Sequence, residues 1–338
     1  MQSQALSCII SPMRFSEEEL LRRIRRLSGS SEEIERGIGD DGCVLRLKEG
    51  RYVLSQDMLV EGIDFERGLF SFEDVGMRAV YVNVSDILCM GAEPMYFLMS
   101  IAIPKDLSYR EIGRFLRGIG MASKEFGLKL LGGDLSSSRR GLVVDICMVG
   151  VLVTEHYLGR DRAKAEDLIA VTGMLGQASF ALNLFKAGER IGGLGRFVER
   201  LRRPRPPYEV WKELVKSGIP NAMIDISDGL LLDLQRLLRE SGKGAKIFFE
   251  NIPIPAPLLE RKMEVLALTG GDDYELLFTF PKERLPLFEG LRERFPLHII
   301  GEVTESGGLR MFKGGRPIKV ERKGWDHFLW RRWTRRRM

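Results

Sequence analysis

Residues 95–134 read MYFLMSIAIPKDLSYREIGRFLRGIGMASKEFGLKLLGGD. Positions 95–103 form an apolar run ended by Pro104 and predict a strand, while the apolar residues of 108–126 recur at helical spacing. Leu128–Leu131 predicts a second strand, which runs directly into Gly132, Gly133 and Asp134. A strand, an amphipathic helix, a strand and a Gly-Gly-Asp sequence imply a mixed layer of sheet and helix. Upstream, Ser16 followed by Glu19 has capping-box spacing and opens a helix to about Leu27. Val44–Lys48 alternates, a Glu-Gly turn follows, and Tyr52–Ser55 continues the alternation, which predicts a hairpin. A helix over 73–90 and a strand from Leu142 to Val153 complete the first half.

A second unit begins near Gly159. A strand is expected at Leu168–Thr172, helices at about 177–187, 208–217 and 230–240, and strands at 245–249, 274–280 and 297–303, with a helix at 282–295. Pro204, Pro206 and Pro207 mark an ordered turn inside this unit. Both halves read as α+β, and no short-period repeat is present.

With 338 residues and 44% hydrophobic content, two domains are expected. Gly contributes 37 residues, many beside Asp, which favours tight functional loops over flexible linkers. The sequence contains no apolar stretch long enough to span a bilayer and no signal-peptide pattern, so a cytoplasmic protein is expected. Cys8, Cys43, Cys89 and Cys147 lack C-x-x-C spacing and read as reduced thiols, without a zinc site or disulfide framework. His156, His298 and His327 sit in no metal-binding or triad-like pattern, which argues against histidine-based catalysis.

The net charge of +5 is misleading, because residues 313–338 carry a local +8 and leave −3 on the rest. The body is not basic, so a nucleic-acid partner is not expected, and Arg331, Arg332, Arg335, Arg336 and Arg337 read as a solvated terminus.

Gly37–Gly42 satisfies G-x-G-x-x-G, but a strand pattern follows it where a dinucleotide fingerprint needs a helix. There is no G-x-x-x-x-G-K-[ST] and no G-x-S-x-G. Instead, Asp stands near Gly or Ser in six places: Asp40-Asp41, Asp57, Asp86, Asp134, Asp225–Asp228 and Asp272-Asp273. One such pair is ordinary turn or cap chemistry. Six of them, several expected at the ends of apolar strands, point to a shared acidic cleft. Magnesium prefers hard oxygen ligands and is usually held by a few carboxylates plus substrate phosphates. A nucleotide site built from Asp and Gly without a Walker lysine therefore implies metal as the neutralising agent.

The order and spacing of these segments resemble the thiamine-monophosphate kinase family, within the superfamily related to aminoimidazole ribonucleotide synthetase. The resemblance runs from about residue 14 to 328 and is carried by Gly39–Asp41, Asp57–Gly62, Val82–Asp86 with Met90–Ala92, Gly132–Asp134, Asp225–Leu230, Gly271–Leu276 and Lys323–Phe328. It implies an N-terminal domain at 14–156 that dimerises through its sheet, a C-terminal α+β domain at 157–328, and a basic tail at 329–338. It also implies transfer of the γ-phosphoryl of ATP to thiamine monophosphate with Mg²⁺. By motif match, Asp41, Ser55, Gln56, Asp57, Asp86, Asp134, Asp225 and Asp228 would be magnesium ligands. Gly133, Asp134, Arg160 and Ser227 would touch ATP, and Asp64, Asp272 and Trp325 would meet the acceptor.

Four features depart from the family pattern. Gln56 stands where Thr is usual, and its amide still offers an oxygen. Asp64 stands where His is frequent; Leu135-Ser136 replaces Thr-Thr; and Asp272 replaces Glu. No general base is needed, because a phosphate monoester has a second pKa near 6 and is already an ionised nucleophile. The alternatives are another ATP-dependent ligase or cyclase of the superfamily and a non-catalytic nucleotide-binding regulator.

Overall fold

The computed structural model describes residues 16–27, 31–38, 43–189, 195–319 and 324. Asp40, Asp41, Trp325, Cys8 and the arginine tail lie outside the described residues. The chain forms two compact units. The first holds the described residues up to Lys48 with Gln56–Val80 and Tyr96–Cys147; the second holds Glu49–Ser55, Tyr81–Met95 and Met148 onward.

Helix α1 (Glu17–Arg25) opens on the expected capping box: the Ser16 hydroxyl accepts the Glu19 N–H at 3.2 Å, and the Glu19 carboxylate accepts the Ser16 N–H at 2.7 Å. Strands β1 (Ile34–Arg36) and β2 (Val44–Leu45) pair antiparallel, with Ile34 opposite Leu45. The expected hairpin between Val44–Lys48 and Tyr52–Ser55 is therefore not formed. The backbone of this stretch turns to β1 instead, where the Arg46 N–H donates to the Glu33 carbonyl at 2.8 Å. Strand β3 (Tyr52–Val60) belongs to a different sheet.

Next come α2 (Phe72–Cys89), β4 (Ala92–Pro104), α3 (Tyr109–Glu125), β5 (Lys129–Ser138) and β6 (Val143–Leu152). Helix α2 buries Val75, Val80, Val82, Val84, Ile87 and Leu88, the all-round burial expected of an internal helix. The four-stranded sheet has the order β3-β6-β4-β5, and β4 and β5 run parallel with Met99 opposite Gly133 and Ser100 opposite Asp134. Helix α3, which opens on a second capping box at Ser108, is their crossover and buries Ile112, Phe115, Leu116 and Ile119.

Strand β5 is longer than Leu128–Leu131, because Gly132, Gly133 and Asp134 continue the strand rather than end it. Gly133 has φ +149°, and a Cβ there would run into the Met99 carbonyl, so only glycine lets the two parallel backbones approach. Asp57 likewise lies within β3. The expectation of aspartates projecting from strand ends is thus corrected for these two residues.

In the second unit the elements are β7 (Leu168–Thr172), α4 (Gln177–Lys186), α5 (Gly195–Arg202), α6 (Tyr208–Ser217), β8 (Ala222–Asp225), α7 (Leu230–Glu240) and β9 (Gly244–Phe248). They are followed by α8 (Ala256–Glu260), α9 (Val265–Thr269), β10 (Leu276–Phe280), α10 (Leu285–Arg292), β11 (Leu297–Thr304), β12 (Leu309–Lys313) and β13 (Arg316–Ile318). The seven-stranded sheet runs β13-β12-β9-β11-β7-β10-β8, and the fully buried β10 sits between β7 and β8. Strands β7, β9, β10 and β11 and helices α4, α6 and α7 fall close to their expected positions. Helix α5, strand β8, the two five-residue helices α8 and α9, and the β12–β13 pair were not anticipated. No described helix is long and apolar enough to cross a membrane.

The first unit depends on a close helix crossing. A Cβ at Gly76 of α2 would strike the Phe115 carbonyl, and one at Gly118 of α3 would strike the Glu73 carbonyl. Gly118→Ala should therefore force the helices apart and destabilise the protein by about 1–3 kcal/mol, the usual cost of overpacking. Thermal or urea unfolding measures this, and an unshifted midpoint would contradict the close crossing.

Candidate functional site

The second unit gathers most of the sequence-predicted polar residues. Ser85 and Asp86 lie in the last turns of α2, and the Ser85 hydroxyl donates to Asp225 Oδ2 at 2.9 Å. Ser85 is fully buried and Asp225, the last residue of β8, is 3% exposed. The Ser55 hydroxyl donates to Asp86 Oδ2 at 2.5 Å. Burial raises the Asp86 pKa, and the Ser55 hydrogen bond and the Arg160 charge oppose that rise. Cys89, one turn beyond Asp86, is buried, and its thiol is pushed up first by desolvation and then by the charges of Asp225 and Asp86. It is an inert neighbour. Cys43 and Cys147 are free thiols as well.

Beyond β8 the backbone is laced to a second acidic segment. The Asp272 N–H donates to the Ser227 carbonyl at 2.8 Å, the Tyr274 N–H to the Ile226 carbonyl at 2.9 Å, and the Ile226 N–H to the Glu275 carbonyl at 2.9 Å. Residues 225–229 and 271–275, 46 positions apart in sequence, thus run side by side. The segment is strained, since Asp272 and Tyr274 have φ of 71° and 48°.

Two residues without a sequence-assigned role hold the first of these loops. Asp233, fully buried in the first turn of α7, accepts the N–H groups of Asp228 at 2.9 Å and Gly229 at 3.0 Å. Arg236 Nη1 donates to Asp228 Oδ2 at 2.6 Å and to Asp233 Oδ1 at 2.8 Å. Desolvation and the Asp228 charge bring the Asp233 pKa to about 6. The signal for Asp233 was present in the sequence: an aspartate in the otherwise apolar first turn of a helix, behind a glycine.

The second loop is anchored from beneath. Asp273, 2% exposed, accepts the Gly176 N–H at 2.7 Å, and its carboxyl is pushed up to about 8 by burial. Glu275 accepts the Thr172 hydroxyl at 2.5 Å and pairs with Arg200, which also donates to the Asp273 carbonyl at 3.2 Å. Arg160 is exposed, and its carbonyl accepts the Ser241 hydroxyl at 2.6 Å.

In the first unit, Gln56 Nε2 donates to Asp145 Oδ2 at 2.6 Å, which orients the amide oxygen the other way. Asp64 Oδ2 accepts the Val60 N–H at 2.7 Å and closes the turn after β3. Gly133 and Asp134 are exposed on β5. Asp57 and Asp134 stand on the two outer strands of the sheet, with β6 and β4 between them. The sheet does not bring these two carboxylates together: three strand spacings amount to roughly 14 Å. Among the described residues no group of three or more His, Cys, Asp or Glu is close enough to hold a metal ion.

Asp273 ties stability to pH. A carboxyl raised from 3.8 when unfolded to about 8 when folded favours folding at low pH. That contribution is lost as pH rises between these values and is gone above about 8. Asp273→Asn keeps the acceptor for Gly176 and removes the titration. The melting temperature of the variant should therefore gain on the native protein as pH goes from 5 to 8.5. A constant gap across this range would show that Asp273 is not held neutral.

Residues 39–152 match the family AIR synthase related protein, N-terminal domain, and residues 164–314 match the corresponding C-terminal domain family. The chain is 35% identical over 299 residues to the thiamine-monophosphate kinase of Aquifex aeolicus, covering 86% of this chain and 92% of that protein. The crystal structure of thiamine-monophosphate kinase from Stenotrophomonas maltophilia K279a superposes with a TM-score of 0.79 at 30% identity, covering 90% of this chain and 98% of that one. A protein designated AaThiL, complexed with AMPPCP and TMP, gives 0.72 at 33% identity over 92% of this chain and 96% of its own. The chain therefore belongs to the AIR synthase-related proteins and, among them, to the thiamine-monophosphate kinase family.

Proposed function

We propose that this chain transfers the γ-phosphoryl group of ATP to thiamine monophosphate by direct in-line displacement, yielding thiamine diphosphate and ADP. The observation that carries the reading is the set of fixed carboxylates in the second unit: Ser55 holds Asp86, Ser85 holds Asp225, and Arg236 holds Asp228, each within hydrogen-bond distance. A relative complexed with AMPPCP and TMP supports the pair of substrates.

The donor set fits magnesium: carboxylates, hydroxyls and one amide oxygen, without thiolate or imidazole. Since no three acidic side chains gather among the described residues, each ion would rest on one or two protein carboxylates together with substrate phosphates and water, the usual habit of Mg²⁺. Ser55, Gln56, Asp57, Asp86, Asp134, Asp225 and Asp228 are the described residues we assign to it, with Asp41 added from the sequence. When bound, magnesium would neutralise the charge of the phosphates and of the transferring group.

The protein's own contribution is positioning. Ser85 fixes Asp225, Ser55 fixes Asp86, and Arg236 with Asp233 fixes Asp228, so the carboxylates meet the nucleotide in one arrangement. We assign Gly133, Asp134, Arg160 and Ser227 to ATP. Asp272 is assigned to the acceptor on a strained segment held by Asp273, and Asp64 and Trp325 are assigned there by sequence alone. The attacking phosphate is already ionised near neutral pH, so no side chain has to remove a proton. We place the domain boundary near residue 157, between the two family matches. We also assign a homodimer formed through the four-stranded sheet. Leu54 and Met58, two of the alternate residues of β3, are 67% and 53% exposed and offer an apolar face for it.

Incubation with ATP, Mg²⁺ and thiamine monophosphate should yield thiamine diphosphate and ADP in equal amounts by chromatography. Chelation should stop it. Asp86→Asn should lower turnover by about a hundredfold or more while leaving the far-ultraviolet spectrum intact, the scale typical of losing one preorganised electrostatic group. Absence of product with native protein would overturn the acceptor assignment, and full activity of the variant would overturn the role of Asp86. Light scattering checks the dimer: Leu54→Glu with Met58→Glu should give a monomer, and an unchanged mass would remove that face from consideration.

A further inference from the structure

The described residues of α1 and α3 enclose a groove of about 430 Å³ that none of the assigned aspartates lines. Its walls carry Arg22, Arg23 and Arg26 from the end of α1 and Arg117 from α3. Glu19 is the only acidic residue in the lining, and its carboxylate is engaged by the Ser16 N–H and hydroxyl. Glu73 lies 3.6 Å from Arg117, but among the described residues no carboxylate pairs with Arg22, Arg23 or Arg26. With four arginines set against Glu19, on which the Arg22 charge acts, and Glu73, the groove is a recess of net positive charge.

Arginines at a helix C-terminus complement the helix dipole, and this accounts for the sequence of α1 taken alone. It does not account for the opposite wall. There Arg117 faces the same space, and Gly113 leaves bare backbone where a Cβ would collide with the Arg23 guanidinium. The Arg23 guanidinium carbon lies 5.1 Å from the centre of the Tyr109 ring, while Leu27 and Leu116 supply apolar surface. Guanidinium forks match phosphate oxygens in pairs, and a flat ring with apolar neighbours accepts a heterocycle. The volume falls within the range of small-molecule sites, roughly 300–1,000 Å³.

From this combination we infer that the α1–α3 groove is a second binding site, for a nucleoside polyphosphate, separate from the residues assigned to catalysis. The phosphates sit on Arg22, Arg26 and Arg117, and the base lies against Tyr109. Such a site lets a nucleotide act on the enzyme without occupying the reaction centre.

Isothermal titration with ADP on the full-length protein tests this. Arg22→Gln/Arg26→Gln/Arg117→Gln should bind one ADP fewer per chain than the native protein, while its formation of thiamine diphosphate persists. The missing equivalent is counted whether or not the catalytic residues themselves bind ADP, so failure of the groove and failure of the proposed reaction are distinguishable. The exposed single change Arg26→Gln, which spares the fold if the triple variant does not, should weaken that class by about tenfold, as expected for one charge-assisted hydrogen bond. Equal ADP stoichiometry and affinity in the native protein and in both variants would overturn the inference. So would arginine-dependent binding of an RNA oligonucleotide without any arginine-dependent ADP class, which would make the face a nucleic-acid surface.

Discussion

Carboxylates repel one another and resist leaving water, and the second unit is arranged around that constraint. Asp225, Asp233, Asp273 and Glu275 are all buried to within a few per cent of complete. Such groups persist in a folded protein only when paired, hydrogen-bonded or neutralised. Each is handled differently. Asp225 takes a serine hydroxyl; Asp233 takes two backbone N–H groups and an arginine; Glu275 takes a threonine and an arginine; and Asp273 takes one N–H and a raised pKa. Asp86, half-buried, combines a short serine hydrogen bond with an upward shift.

The cost of holding these groups has a directional consequence. Asp225 and Asp233 are locked in place by the donors they accept. Burial and the Asp228 charge raise Asp233 to about 6, and the Asp228 N–H and then Arg236, which sits between the two carboxylates, oppose the rise. Removing Arg236 would leave two neighbouring carboxylates to compete for the same protons. The first loop of the site is thus held by electrostatics. The second is held by backbone geometry, since three backbone hydrogen bonds and the buried Asp273 fix the segment in which Asp272 and Tyr274 keep positive φ.

The long periodic elements were legible in the sequence. α3, α6, α7, β7 and β11 each combine a clear apolar period with a cap, a proline or a glycine at the end, and local signals agree with the tertiary outcome there. The failures share a cause as well. Val44–Leu45 alternates like a hairpin arm, but a two-residue strand has no register of its own and pairs wherever a partner lies, here Ile34–Arg36. Gly132-Gly133-Asp134 reads as a turn from its composition. It is a strand because the Met99 backbone lies where a side chain would have to go, and a single sequence does not reveal such a long-range approach.

The same distinction separates the parts of the candidate site. Residues whose chemistry is written in a motif, such as Asp86, Asp225, Ser227, Asp228 and Asp272, are drawn together by α2, β8 and the paired loops of the second unit. Those that hold them in place, Ser85, Asp233, Arg236, Asp273 and Arg200, look like ordinary helix or loop residues until their partners are known. Gln56 illustrates why type alone is a poor guide. Where threonine would offer a hydroxyl it offers an amide, and Asp145 captures the amide nitrogen and turns the amide oxygen to the opposite side. A partner on the neighbouring strand therefore decides which way the amide faces, and the residue type alone does not reveal it.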